Sequence, residues 1–183
     1  MKIAGYLHDI GKLVVPPQVL NKSDKLTNEE WNIMKTHTYY TYQALSTSPN
    51  LNTIREWASY HHEKLNGEGY PFHLNENQLS LGSKIMGVSD VFTAITEDRP
   101  YRSGMEYSKV KNILNDMALK NELDEELVGI VMDNFKEFNE IREEVQIKTK
   151  NNFNNFKKKT ENILESLNKK NFSSDSPEVL KKN

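Results

Sequence analysis

Residues 60–71 read YHHEKLNGEGYP, two adjacent histidines followed by a glycine-rich loop. Earlier in the chain lie a His8-Asp9 pair and a further histidine, His37. Imidazole and carboxylate groups bind iron, manganese or zinc where no thiolate is present, and this chain has no cysteine. One histidine on an apolar face is more often a core residue than a metal ligand. Four of the five histidines here, however, stand in sequence contexts that suit a divalent metal ion. The sequence therefore predicts a site for divalent metal ions.

The composition limits the class of protein. Its 183 residues suit one domain with an appendage. The absence of cysteine excludes disulfides and favours a reducing, cytoplasmic setting. We see no apolar run of the roughly 20 residues that a membrane span needs, and no signal-peptide pattern. The expectation is a cytoplasmic protein with no membrane span.

Charge is unevenly distributed along the chain. Residues 1–147 carry 15 Lys and Arg against 22 Asp and Glu, a net charge of −7, whereas residues 148–183 carry 9 against 4, a net charge of +5. Binding to a nucleic-acid polymer needs a dense basic surface. An acidic body argues against such a polymer as partner.

Helical periodicity dominates the body, and no convincing strand alternation occurs. It predicts helices over 2–10, 53–62 and 83–97, and others starting near 27, 108 and 124, the last of which is expected to include Phe135 and Phe138. Gly11 is expected to end the first helix, Thr27 to open a capping box, and Pro16-Pro17 to form an extended loop. The predicted fold class is all-α.

The C-terminal part differs from the body. Phe153, Phe156 and Ile163 continue a stripe with spacings of three and four, which predicts an amphipathic helical extension over 146–168. Because only about two heptads are present, packing back on the body is favoured over an independent coiled coil. Residues 169–183 are polar and predicted to be a disordered tail. The body is assigned to 1–145.

Asp90 falls in the middle of the most apolar predicted helix. A carboxylate buried there needs a cation, hydrogen-bond donors or a metal ion. Lys84 and Arg55 are the alternative partners, but the nearby histidines favour a metal ion. By helical spacing, His61 is expected to point inward and His62 elsewhere.

Two further segments have both an ordinary and a functional interpretation. Gly67 and Gly69 suit any turn that requires positive φ. Arg99 and Arg102 flank Pro100-Tyr101 and form either a solvated turn or a phosphate site with a stacking ring. His73 is predicted to be a surface residue.

Taken together, these motifs resemble an HD-GYP domain. The resemblance runs in order over about 7–104: LHDIGK at 7–12, His37, HHE at 61–63 with GYP at 69–71, SDVF at 89–92 and RPYR at 99–102. It implies an all-helical HD-superfamily bundle. It also implies a cytoplasmic, metal-dependent phosphodiesterase that hydrolyses cyclic di-GMP to pGpG or GMP, with two divalent metal ions, iron or manganese.

The resemblance also implies roles for individual residues. Asp9 would bridge the two metal ions and, with Lys12, act in catalysis. One metal shell would be completed by His37, His61 and His62, and the other by His8 and Asp90. The substrate phosphate would be held by Lys12, and the nucleotide pocket would be lined by Tyr70, Pro71, Arg99 and Arg102.

Relative to that family, we expect the chain to lack the helices before His8, and with them a further histidine ligand. Two alternative functions therefore stay open. One is an impaired fragment that acts as a binding or interaction module, and the other is hydrolysis of a different nucleotide phosphoester. The sequence leaves open a homo-oligomer and a missing N-terminal regulatory segment.

Overall fold

Helices form almost all of the regular structure. The computed structural model describes residues 1–98 and 103–173, with side chains as far as residue 165. Its helices are α1 (Lys2–Leu7), α2 (Pro17–Leu20), α3 (Asn28–Leu45), α4 (Asn52–Ser59), α5 (Leu81–Thr96), α6 (Tyr107–Leu119), α7 (Glu125–Asp133) and α8 (Phe135–Ser173). Short 3-10 helices span Ile10–Val14, Pro49–Leu51 and Glu76–Gln78. No strand occurs in these residues beyond one isolated bridge, so the all-α prediction is confirmed.

The capping box predicted at Thr27 is present at the start of α3. The Thr27 side chain accepts a hydrogen bond from the Glu30 N–H, and the Glu30 carboxylate accepts one from the Thr27 N–H. This reciprocal pair satisfies two N–H groups that have no partner within the helix. It fixes the first residue of the helix that carries His37.

Three local predictions were wrong. The predicted helix over 2–10 ends at Leu7, because Asp9 leaves the α region at φ −102° and ψ 8°, and Gly11 lies within a 3-10 helix. Only Pro16 is extended, while Pro17 occupies the first turn of α2, where its missing N–H costs nothing. Phe135 begins α8 rather than continuing α7, since Asn134 interrupts the helix at φ −114° and ψ 23°.

Two apolar clusters hold the unit Met1–Phe138 together. The first joins α1, α3, α4 and α5 through buried residues that are all small or aliphatic: Ala4, Leu45, Ala58 and Met86. The second joins α5, α6 and α7, with Val88, Phe92, Val110, Leu114 and Val128 among its buried members. Helix α5 contributes to both clusters, so it connects the two halves of this core.

The second unit comprises Asn139–Asn183, and its described part is the continuation of α8. Phe153, Phe156 and Ile163 are exposed along this helix. The predicted boundaries at 145 and 168 fall inside α8, and residues 174–183 of the predicted tail lie outside the described residues. None of the described helices combines the length and apolar character that a membrane crossing requires.

Candidate metal centre

Five of the six predicted metal ligands come from three segments, of which two follow helices and one is helix α3. His8 caps α1 and Asp9 follows it, while His61 and His62 lie in the turn after α4. His37 lies within α3 and is 2% exposed. The structure brings their ring and carboxylate atoms together at one place in the unit Met1–Phe138.

The ligand atoms form two overlapping groups. In the first, atoms of His37, His61 and His62 all lie within 4.8 Å of one another. In the second, atoms of His8, Asp9 and His61 meet the same limit. His61 therefore belongs to both groups, and the two groups are adjacent.

The Asp9 carboxylate lies between histidines of the two groups. Its Oδ2 atom is 3.3 Å from Nε2 of His8, and its Oδ1 atom is 3.4 Å from Nε2 of His37. A carboxylate that faces both sides in this way has the geometry of a bridging ligand. The bridging role inferred from the sequence stays a prediction.

Three histidines share one arrangement of their ring nitrogens. In each, Nδ1 lies 2.6 or 2.7 Å from the backbone carbonyl oxygen three residues earlier: His8 with Gly5, His37 with Met34, and His61 with Ala58. A carbonyl oxygen only accepts hydrogen bonds, so each Nδ1 donates, and in the neutral ring each Nε2 keeps its lone pair. Such outer contacts fix the tautomer and orientation of metal-binding histidines.

The inner atoms of the cluster lack hydrogen bonds. Nε2 of His37, Nε2 of His61 and Oδ1 of Asp9 are buried, and none has a hydrogen-bond partner in the described part of the chain. Buried polar atoms without partners are rare because leaving water uncompensated is costly. A divalent cation would satisfy all three electron pairs, so these residues fit the metal ions that the sequence predicts.

The protonation states of four of these residues suit a metal ion, whereas for His8 burial is outweighed by the neighbouring Asp9 carboxylate, which raises the pKa. Burial lowers the pKa of His37 and of His61, and it lowers the pKa of His62 to about 3 with help from neighbouring His37. Burial opposes ionisation of Asp9, but the neighbouring His8 ring and the Lys12 ammonium hold its pKa well below the usual range. Neutral imidazoles and an ionised carboxylate are the forms that bind metal ions.

Asp90 is a quarter exposed and faces the histidines, rather than being buried among the apolar residues of α5. Its oxygens lie 3.7 Å from Nε2 of His8 and 3.8 Å from Nδ1 of His62. The alternative cations are engaged elsewhere. Lys84 pairs with Asp124 and Glu76, and the Arg55 guanidinium lies 4.5 Å from the Tyr42 ring centroid.

The direction predicted for His62 was wrong. Its ring centroid is 4.1 Å from that of His61, so both histidines face the cluster. The prediction extended helical geometry to residue 62, but α4 ends at Ser59. In a turn, adjacent residues are free to point to the same side.

Thr41, which no sequence pattern singled out, connects the His8-Asp9 segment to α3. Its hydroxyl accepts a hydrogen bond from the Gly11 N–H at 3.1 Å and donates one to the His8 carbonyl at 2.9 Å. A side chain at Gly11 would collide with the His37 carbonyl. The signal was available, because Thr41 lies four residues after His37 and therefore on the same face of α3.

Glu63 was also missed as a structural residue, although it stands directly after the paired histidines. It is 5% exposed, and its two carboxylate oxygens accept hydrogen bonds from the N–H groups of Phe72 at 2.7 Å and Leu74 at 2.9 Å. Burial raises the pKa of Glu63, and these two hydrogen bonds oppose the rise. Glu63 thus holds the end of the loop that contains Tyr70 and Pro71.

The two loop glycines serve different purposes. Gly67 has φ +79°, as predicted for a turn. Gly69 does not have positive φ, and a side chain there would collide with the backbone of Glu63 and Lys64. Gly69 is therefore required by close approach rather than by its backbone angles.

The predicted substrate residues lie beside the cluster where the structure describes them. The Tyr70 ring is 4.9 Å from that of His62, and Pro71 follows it in the loop. Burial raises the pKa of Tyr70, so its hydroxyl stays protonated. Lys12 Nζ lies 2.6 Å from Oδ2 of Asp9. Arg99 and Arg102 lie outside the described residues, and His73 is exposed, as predicted.

A profile of the HD domain family matches residues 1–127. The chain belongs to the HD domain family. The chain is 34% identical over 136 residues to a 3'3'-cGAMP-specific phosphodiesterase 1 of Vibrio cholerae. This alignment covers 74% of this chain and 32% of that protein. The chain is 41% identical over 103 residues to a cyclic di-GMP phosphodiesterase of Pseudomonas aeruginosa, covering 56% of this chain and 25% of that protein.

A cyclic di-GMP phosphodiesterase of Thermotoga maritima is also 41% identical, over 105 residues that cover 56% of this chain and 28% of that protein. This chain thus spans a quarter to a third of the length of these curated relatives. The predicted membership of the HD superfamily is confirmed by the family match.

Proposed function

We propose that this HD domain is a metal-dependent phosphodiesterase that opens cyclic di-GMP to pGpG or GMP. The observation that carries the proposal is the convergence of His8, His37, His61 and Asp9. Three atoms of this cluster are buried without a hydrogen-bond partner in the described residues: Nε2 of His37, Nε2 of His61 and Oδ1 of Asp9. The names of the relatives, all phosphodiesterases of cyclic dinucleotides, support the substrate class. Cytoplasmic location stays a prediction.

Two divalent ions, iron or manganese, would be held by His37, His61 and His62 on one side and by His8 and Asp90 on the other, with Asp9 between them. When bound, they supply Lewis-acid stabilisation of the negative charge that develops on a phosphodiester during in-line displacement. In the net reaction, water adds to phosphorus, the P–O3′ bond breaks, and the 3′ oxygen leaves as a hydroxyl after taking a proton.

The chain's own residues bind and orient the substrate. Lys12 brings a positive charge to the edge of the cluster, where it would pair with a phosphate oxygen. The Tyr70 ring offers a flat face next to His62 on which a ribose or base would pack. Glu63 keeps this ring in place by holding the backbone of Phe72 and Leu74.

The test is hydrolysis of cyclic di-GMP by the full chain with Mn²⁺ or Fe²⁺, followed by chromatography of the products. Asp9→Ala is expected to abolish product formation. His73→Asn is the matched control, because His73 is an exposed loop residue with φ +56°, a conformation that asparagine tolerates. Folded protein that releases neither pGpG nor GMP with either metal would overturn the proposal.

Metal content provides a second measurement. Elemental analysis of protein purified without oxygen is expected to find about two metal ions per chain, as a two-metal site requires. One ion or fewer would favour an impaired binding module.

A further inference from the structure

A groove runs along the exposed side of α3, next to the metal centre. It encloses about 270 Å³ and is lined by Asn32, Lys35, Tyr39, Tyr40, Tyr70 and Pro71. We call it the α3 groove. Tyr70 belongs both to the groove and to the surroundings of the metal centre, since its ring lies 4.9 Å from that of His62. A ligand that reaches across Tyr70 would therefore contact both.

The groove offers aromatic surface to solvent. Tyr39 is 44% exposed and Tyr40 is 40% exposed. Their rings meet edge to face at 5.9 Å, and Tyr39 also packs on Phe72 at 6.3 Å. Because these contacts fix the orientation of Tyr39, its exposed face is a ready plane for stacking a planar ligand. Nucleobases of every type stack on such rings.

The groove also carries a cation. Lys35 Nζ lies 5.7 Å from the centroid of the Tyr70 ring. Within the described residues it forms no ion pair with a carboxylate. A phosphate is the ligand group that complements a lysine beside an aromatic plane.

We infer that the α3 groove is a nucleotide subsite that holds the half of a cyclic dinucleotide remote from the scissile phosphate, with its purine stacked on Tyr39 and its phosphate at Lys35. The inference rests on the proposed function for its choice of ligand. A cyclic dinucleotide has two purines and two phosphates, so a molecule with one phosphate at the histidines must place its other half elsewhere. The α3 groove is contiguous with the cluster through Tyr70, and Asn32 there offers amide groups to a base edge.

The test uses two groove variants, Tyr39→Ala and Lys35→Met, each with a matched control. Tyr107 is 45% exposed and packs on Phe135, and Lys111 Nζ lies 5.9 Å from the Tyr107 ring. Tyr107→Ala and Lys111→Met therefore remove an equivalent tyrosine and lysine from a different part of the surface. All four variants are checked for folding by thermal unfolding.

Two substrates distinguish an effect on the α3 groove from an effect on the metal centre. With cyclic di-GMP, each groove variant is expected to raise KM about tenfold with little change in kcat, a size typical for loss of one stacked base. With bis(p-nitrophenyl) phosphate, which has no purine, the same variants are expected to match the wild-type chain. An unchanged KM for cyclic di-GMP, or equal losses on both substrates, would overturn the inference.

Direct binding distinguishes this inference from the proposed function. Equilibrium dialysis of the chain with cyclic di-GMP in the presence of EDTA measures the subsite without turnover. Suppose that the assay with Mn²⁺ or Fe²⁺ shows no hydrolysis, but Tyr39→Ala weakens binding in EDTA about tenfold. The subsite then stands and the phosphodiesterase proposal fails. If hydrolysis occurs while both groove variants bind like the wild type, the subsite alone fails. Absence of both binding and hydrolysis overturns both.

Discussion

Asp9 and His37 come from segments that are distant in sequence, yet Oδ1 of Asp9 lies 3.4 Å from Nε2 of His37. Both atoms are buried, and neither has a hydrogen-bond partner in the residues that the structure describes. Two electron-rich atoms held this close repel each other unless a proton or a cation lies between them. In the folded chain this repulsion opposes stability, and a metal ion between the two atoms would remove it.

Metal binding is therefore expected to stabilise the fold. A metal ion at one hundred times its Kd adds about 2.7 kcal/mol, which corresponds to a rise in Tm of roughly 5–10 °C for a domain of this size. Thermal unfolding with Mn²⁺ and with EDTA measures the difference. Asp9→Asn is expected to lose most of the Mn²⁺ effect and His73→Asn to keep it. Equal shifts in both variants would contradict a site at Asp9.

Glu63 is expected to stabilise the loop after the paired histidines. Glu63→Gln replaces one acceptor oxygen by an amide that cannot accept, so the N–H of Phe72 or Leu74 loses its partner. The expected loss is about 1–3 kcal/mol in the free energy of unfolding. Urea unfolding measures it, and Glu68→Gln, in the same loop but exposed, is the control. A Glu63→Gln chain as stable as the control would show that these hydrogen bonds contribute little.

Gly69→Ala and Gly129→Ala are expected to have opposite effects on stability. At Gly69 the new methyl group would collide with the backbone of Glu63 and Lys64, at a cost of about 1–3 kcal/mol. At Gly129, inside α7, nothing lies within 4 Å, and alanine should add about 0.5–1 kcal/mol through its higher helix propensity. Urea unfolding compares the two variants. Stabilisation by both substitutions would contradict the close approach at Gly69.

Asp124 is expected to make a contribution to stability that depends on pH. Its carboxylate accepts a hydrogen bond from the Leu127 N–H at the start of α7 and pairs with Lys84 at 3.1 Å. Burial would raise the pKa of Asp124, but the Leu127 hydrogen bond and Lys84 together lower it below the ordinary value of 3.8. A lowered pKa means that the stabilisation is complete above the unfolded pKa and is lost as pH falls through the folded pKa.

Asp124→Ala should accordingly cost about 1 kcal/mol near neutral pH, the usual value of a helix N-cap, and less in acid. Urea unfolding of wild type and variant at pH 7 and at pH 3 measures the change. A difference in unfolding free energy that grows in acid would contradict the lowered pKa.

Local patterns predicted those parts of the structure that depend on one helix. The capping box at Thr27 needs only four neighbouring residues, and it is present. The inward direction predicted for His61 from its spacing with Trp57 and Ala58 agrees with its 2% exposure, although His61 lies in the turn after α4. In this turn His62 faces the same cluster as His61, which helical spacing did not predict.

Contacts between segments could not be predicted in this way. Glu63 meets Phe72 and Leu74 only after the intervening loop has closed, and Thr41 meets His8 only after α3 has packed on the preceding segment. The α3 groove likewise combines Lys35 from a helix with Tyr70 from a loop. Resemblance to a known family indicated which residues gather, but their distances depend on packing that no single segment encodes.

The hydrogen bond from Thr41 to the His8 carbonyl has a consequence for the order of assembly during synthesis. His8 and Asp9 leave the ribosome before α3, but they are fixed only when α3, which carries Thr41 and His37, has formed. Asp90 follows much later, on α5. A nascent chain that captured a metal ion early would hold it with an incomplete set of donors and exchange it readily. Metal uptake is therefore expected to come after the packing of α5, once the whole domain has been translated.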